Sequence, residues 1–95
     1  MSAYLVVEID ITDPEQYEKY RAALPAALAA GGGRLVAGGA FTVLEGDWHP
    51  PRLAVLAFED LDAAKRWYES EVYQGAKTLR EGAANVRMVA IQGVE

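Results

Sequence analysis

The run Glu45-Gly46-Asp47-Trp48-His49-Pro50-Pro51-Arg52 sets two carboxylates, an indole, an imidazole and a guanidinium in one short segment. His49 is the only histidine. An imidazole titrates near neutral pH and can take a proton as a general base. The prolines that follow make this a loop, where solvated polar side chains are normal, and no orienting partner for the ring is visible. Glu45 can be a carboxylate base at a pocket mouth, or the partner of Arg52 across a hairpin. Arg52 is correspondingly an anion clamp or the other half of that ion pair. Trp48 offers its ring as a wall for a bound molecule.

Trp67, Tyr68, Tyr73 and Arg80 form a second group. Trp67 keeps helical spacing with Ala64 and reads as core. Tyr68 and Tyr73 flank a break between two helical stretches. Arg80 follows Tyr73 by two turns, so the two can share a face. An arginine with two phenols can hold a small carboxylate or carbonyl compound. The same residues can instead tie a broken helix to the sheet or to a partner subunit. Glu8 is the remaining candidate. It lies on a strand face opposite Leu5, Val7 and Ile9. If a second subunit encloses that face, Glu8 is a desolvated carboxylate with a raised pKa, suited to acid/base work. If the face is open, Glu8 and Asp10 are solvated.

The elements that must hold these groups are legible from periodicity. Tyr4–Ile11 alternates Leu5, Val7, Ile9 and Ile11 against Tyr4, Val6, Glu8 and Asp10, the pattern of a strand. Asp13-Pro14-Glu15-Gln16 opens a helix: Asp13 caps, Pro14 suits the first position and Gln16 can reach back. Tyr17, Tyr20, Leu24 and Leu28 line its inner stripe, Pro25 predicts a kink, and Gly31-Gly32-Gly33 stops it. Arg34–Ala37 and Phe41–Glu45 read as one long strand with a bulge or bend at Gly38-Gly39. Arg52–Glu59 is apolar on both faces and therefore central. Asp60 caps a helix with Leu61, Ala64, Trp67 and Tyr68 inward. Ser70–Tyr73 is a break, a third helical piece runs from about 74 to 83, and Val86–Gln92 is the last strand.

The order is β-α-β-β-α-β with a split second helix, which predicts a ferredoxin-like α+β fold in a single domain over residues 1–95. Right-handed crossovers put both helices on one face of an antiparallel sheet. The other face is left apolar, with a few carboxylates. Such a patch marks a partner surface or a ligand pocket. Two copies packed sheet to sheet would bury it, at roughly 25 cal/mol per Å² of apolar area.

Composition removes several functions. A net charge of −5 argues against a nucleic-acid binder, because phosphates call for a lysine and arginine excess, and it disfavours anionic membranes too. The absence of cysteine excludes disulfides, thiolate catalysis and cysteine-based metal sites. One histidine excludes a metal site of two or three histidines within one chain. No apolar run approaches the roughly 20 residues that span a bilayer. The start of the chain lacks the basic lead-in of a signal peptide, which leaves the cytoplasm as the default location. The glycine runs match no phosphate loop, and no nicotinamide, flavin or haem signature is present, so no cofactor is expected.

Taken together, Gly38-Gly39, the Glu45–Arg52 run, Ala64-Lys65-Arg66-Trp67-Tyr68-Glu69-Ser70, Tyr73-Gln74 and Arg80 resemble the DUF1330 family over nearly the whole chain. That family consists of small bacterial proteins of unknown function within the dimeric α+β barrel superfamily. The resemblance implies the fold and a homodimer. It implies no reaction, since relatives in the superfamily include isomerases, cofactor-free oxygenases and non-enzymes. The chain departs from the usual pattern at Gly31, where the family often has histidine, at Ala37, often arginine, and at Ser70-Glu71-Val72-Tyr73-Gln74, usually Ser-Pro-Glu-Tyr-Gln.

Two functions follow as expectations. One is a cofactor-free enzyme acting by acid/base chemistry on a small carbonyl or aromatic compound. Glu45, His49 or Glu8 would be the base, and Arg52, Arg80, Tyr68, Tyr73 and Trp48 would bind. The other is a non-catalytic module that binds a small molecule or a partner.

Overall fold

A computed structural model describes residues 1–94. The chain runs β1 (Ala3–Ile11), α1 (Pro14–Ala30), β2 (Arg34–Gly38), β3 (Leu53–Phe58), α2 (Leu61–Glu69), α3 (Glu71–Thr78) and β4 (Ala84–Gln92). The strands form one antiparallel sheet in the order β2-β3-β1-β4, which is the ferredoxin-like arrangement.

Caps set the helices. The Asp13 carboxylate accepts from the Gln16 amide at 3.2 Å, and Asp60 accepts from the Ala63 amide at 2.7 Å. The Gln16 side chain does not return to its cap. Its Nε2 donates to the Leu79 carbonyl at 2.7 Å, tying the start of α1 to the end of α3. α1 passes through Pro25 as one helix and ends at Gly31. Ser70 serves two helices at once: its hydroxyl donates to the Trp67 carbonyl at 2.7 Å and accepts from the Tyr73 amide at 3.2 Å. The break expected over Ser70–Tyr73 is therefore confined to Ser70. α3 begins at Glu71, earlier than the expected 74, and gives way to turns before 83.

The long strand through Phe41–Glu45 does not form. The register of β2 slips between Leu35 and Ala37, ahead of the glycine pair, and the strand ends at Gly38. Residues 39–52 are irregular. The segment that would pair with Phe41–Glu45 contains Pro50 and Pro51, which have no amide hydrogens to donate. Phe41, Val43 and Leu44 are left exposed.

The core lies between the helices and one face of the sheet. Leu5, Val7, Leu56 and Phe58 meet Tyr17, Tyr20, Leu28, Ala64, Trp67 and Tyr73 there. The Trp67 ring stands 5.2 Å from Phe58 and 4.1 Å from Tyr73, and its Nε1 donates to the Ala27 carbonyl at 2.8 Å. Directly opposed residues share a face, so the register gives the other side to Tyr4, Val6, Val55, Val89 and Ile91. Val89 and Ile91 are 58% and 55% exposed. The sheet is thus covered on one side, as the alternation predicts.

Helix and sheet approach closely where α1 ends. A methyl on Gly33 would come within 2.5 Å of Phe58 Cε1 and 2.8 Å of Leu28 Cδ1, both buried. Gly75, in α3, has open space around it. Gly33→Ala is therefore expected to lower stability by about 1–3 kcal/mol through overpacking. Gly75→Ala is expected to raise it by about 0.5–1 kcal/mol through helix propensity. Urea unfolding of the two variants checks both signs.

Candidate functional site

Arg80 follows α3, held in a turn by its amide on the Lys77 carbonyl at 3.1 Å. Its side chain runs inward and is 9% exposed. The guanidinium lies 5.2 Å over the Tyr20 ring, and Nη2 donates to Tyr73 Oη at 3.3 Å. Tyr20 and Tyr73 share a hydroxyl hydrogen bond at 3.0 Å. Among the described residues no carboxylate pairs with Arg80, and its buried Nε has no acceptor. A ring face and phenols hold this charge in place of an acid.

A hollow of about 590 Å³ opens beside it, between β1 and β4 below and α2 and α3 above. Leu5, Val86 and Met88 form an apolar floor, and Lys65, Tyr68, Glu69, Lys77 and Arg80 line the wall. Lys77 Nζ donates to Tyr68 Oη at 2.8 Å, and the Tyr68 and Tyr73 rings stand 5.4 Å apart. The arrangement offers an anion or a carbonyl oxygen several donors over a greasy bed, with phenol, ammonium and carboxylate groups available for proton transfer.

A second hollow of about 560 Å³ lies between α1 and the β2–β3 side, lined by Tyr17, Tyr20, Leu24, Leu35 and Arg52. The Ile9 amide donates to the Arg52 carbonyl at 3.0 Å, which fixes where this arginine leaves the sheet. Burial pushes the phenols of Tyr17 and Tyr20 above the usual tyrosine range, and for Tyr20 the hydrogen bond to Tyr73 adds to the shift.

The residues singled out in the sequence fall into separate places. Tyr68 and Arg80 line the first hollow, Tyr73 is buried behind them with no exposed surface, and Arg52 lies at the second. Glu8 and Trp48 meet on the uncovered sheet face. There, Trp48 Nε1 donates to Glu8 Oε1 at 3.1 Å, and Arg87 Nη2 donates to both carboxylate oxygens at 2.9 and 3.0 Å. These donors, Arg87 first and Trp48 second, hold Glu8 below the usual carboxylate range, the opposite of the shift expected for an enclosed acid. Glu45 and His49 are exposed. His49 Nε2 lies 3.1 Å from Asp47 Oδ1, and Glu45 makes no ion pair with Arg52. Both hollows lie on the helical side of the sheet, whereas the alternation pointed to the uncovered side. Lys65, Glu69 and Lys77 were missed. The spacing of Tyr73, Lys77 and Arg80 along one helical face was the signal for Lys77.

Sheet order and one-sided helices define a ferredoxin-like α+β fold. The chain belongs to the DUF1330 family, a domain of unknown function whose model matches residues 2–94. No curated protein matches its sequence. Among solved structures it is similar to a Rhodopseudomonas palustris protein of unknown function, at 19% identity and a TM-score of 0.74 over 99% of this chain and 83% of that one. It is also similar to SnoaB, a cofactor-independent oxygenase from Streptomyces nogalater, at 16% identity and a TM-score of 0.67 over 99% and 94%. A dimeric ferredoxin-like protein of unknown function from Thermobifida fusca matches at 18% and 0.66, over 98% and 92%. At these identities the likeness is one of fold.

The phenol shifts carry a sign. Tyr20 titrates higher folded than unfolded, where it stays near its ordinary value of 10.0, so the fold binds the proton more tightly. Its contribution to stability is complete below about pH 10 and drains away as the pH climbs toward the folded value. Urea midpoints from pH 8 to 11 are expected to fall more steeply for the native chain than for Tyr20→Phe.

Proposed function

We propose that the protein is a bacterial, cytoplasmic enzyme that works without a bound cofactor on a small carbonyl or aromatic compound. The supporting observation is the hollow beneath α2 and α3, whose volume of about 590 Å³ suits a small molecule and whose wall gathers Tyr68, Glu69, Lys77 and Arg80. Arg80 and Tyr68 orient the substrate's oxygen. Glu69 and Lys77 are placed to take and return a proton. SnoaB, a cofactor-independent oxygenase, works from the same fold. The second reading is a binding module without chemistry. The exposure of Glu45 and His49, outside this hollow, favours it.

A thermal-shift screen of small carbonyl and aromatic compounds, followed by NMR of each stabilising mixture, separates the two. The enzyme reading expects a stabilising compound to be consumed, with turnover reduced about tenfold or more by Tyr68→Phe or Glu69→Gln. Stabilisers that persist unchanged would leave the binding module.

The same proposal includes a homodimer closed through the uncovered sheet face. Its apolar residues Val6, Val55, Val89 and Ile91 have no helix over them, and the Thermobifida fusca neighbour is described as dimeric. Sedimentation at micromolar concentration is expected to show a dimer for the native chain and a folded monomer for Val89→Glu. A native chain that sediments as a monomer would sink this part.

A further inference from the structure

We infer that the ligand of the hollow beneath α2 and α3 is an organic carboxylate with an apolar body, gripped through its carboxylate by Arg80. The inference rests on the reading of this hollow as a small-molecule site and adds the chemical class of its occupant. Arg80 is a buried residue, 9% exposed, that lines the hollow, yet no acid of the described chain pairs with it. Arginine stays charged at any ordinary pH, and a buried charge without a counter-charge is costly. The ring of Tyr20 and the hydroxyl of Tyr73 hold the group in place but supply no negative charge. A carboxylate supplies that charge, and its two oxygens fit the planar fork.

The surroundings agree. Lys65 and Lys77 share the wall with Arg80 against one acid, Glu69, so the lining is net positive in a chain whose overall charge is −5. A local reversal of sign along a cleft raises the concentration of small anions there. The floor of Leu5, Val86 and Met88 offers nothing to a fully hydrated inorganic anion and suits a ring or a short aliphatic chain. An organic acid answers both halves of the site, whereas phosphate answers one.

The full-length labelled protein is titrated by NMR with benzoate, phenylacetate and hexanoate, with benzyl alcohol as the uncharged comparison, and with inorganic phosphate. At least one carboxylate is expected to saturate shifts at Ala64, Tyr68 and Met88, and to bind about tenfold more tightly than benzyl alcohol. Arg80→Lys, which keeps the charge but loses the fork, is expected to weaken that binding by about tenfold. Lys77→Met, at a half-buried site, weakens it without threatening the fold, and serves if the Arg80 variant does not fold. The inference fails if no carboxylate shifts these residues, if benzyl alcohol binds as well, or if phosphate matches the best carboxylate. A carboxylate that binds but is never transformed keeps this inference and removes the enzyme. An uncharged compound that is turned over where no carboxylate binds does the reverse.

Discussion

One serine hydroxyl sets the junction of the two helices that roof the hollow. Ser70 closes α2 through the Trp67 carbonyl and opens α3 through the Tyr73 amide, so the chain turns between two helices without a spacer. That turn brings the indole and the phenol to 4.1 Å, with the indole also 5.2 Å from Phe58. Arg80, in the turn that follows α3, lies over the Tyr20 ring. Glu71 adds a favourable charge at the start of α3.

The strands of the sheet were legible because their apolar residues alternate with period two, and β3 announced its central position by being apolar on both sides. The caps at Asp13 and Asp60 were legible for the same local reason: a short acid precedes each periodic run. What failed was non-local. Phe41–Glu45 has strand-like composition, but a strand needs a neighbour with donors, and Pro50 and Pro51 lie where that neighbour would be. Gln16 has the spacing for a local role in its own cap, but its side-chain amide donates to a carbonyl sixty-three positions away.

The candidate site shows the same division. Tyr73 and Arg80 could be paired from helical spacing, and Tyr68 from its place beside the break. Tyr20 could not, since it reaches Tyr73 from another helix. Glu8 was legible as a carboxylate on the uncovered face, but its state depends on Arg87 across β1 and β4 and on Trp48 at the tip of an irregular loop. Neither neighbour is close in the chain. Pattern shows which way a side chain faces; only the register says what stands opposite.

The two tryptophans divide the molecule between them. Trp67 is 3% exposed, wedged among aromatic rings in the interior. Trp48 is 46% exposed and hangs from Glu8 at the margin of the bare sheet. One indole reports on whether the interior is intact, and the other on what comes to rest against the outside. The chain thus carries two built-in fluorophores with separate vantage points, whose emission colours and quenching by a dissolved collider tell unfolding apart from encounter without any label.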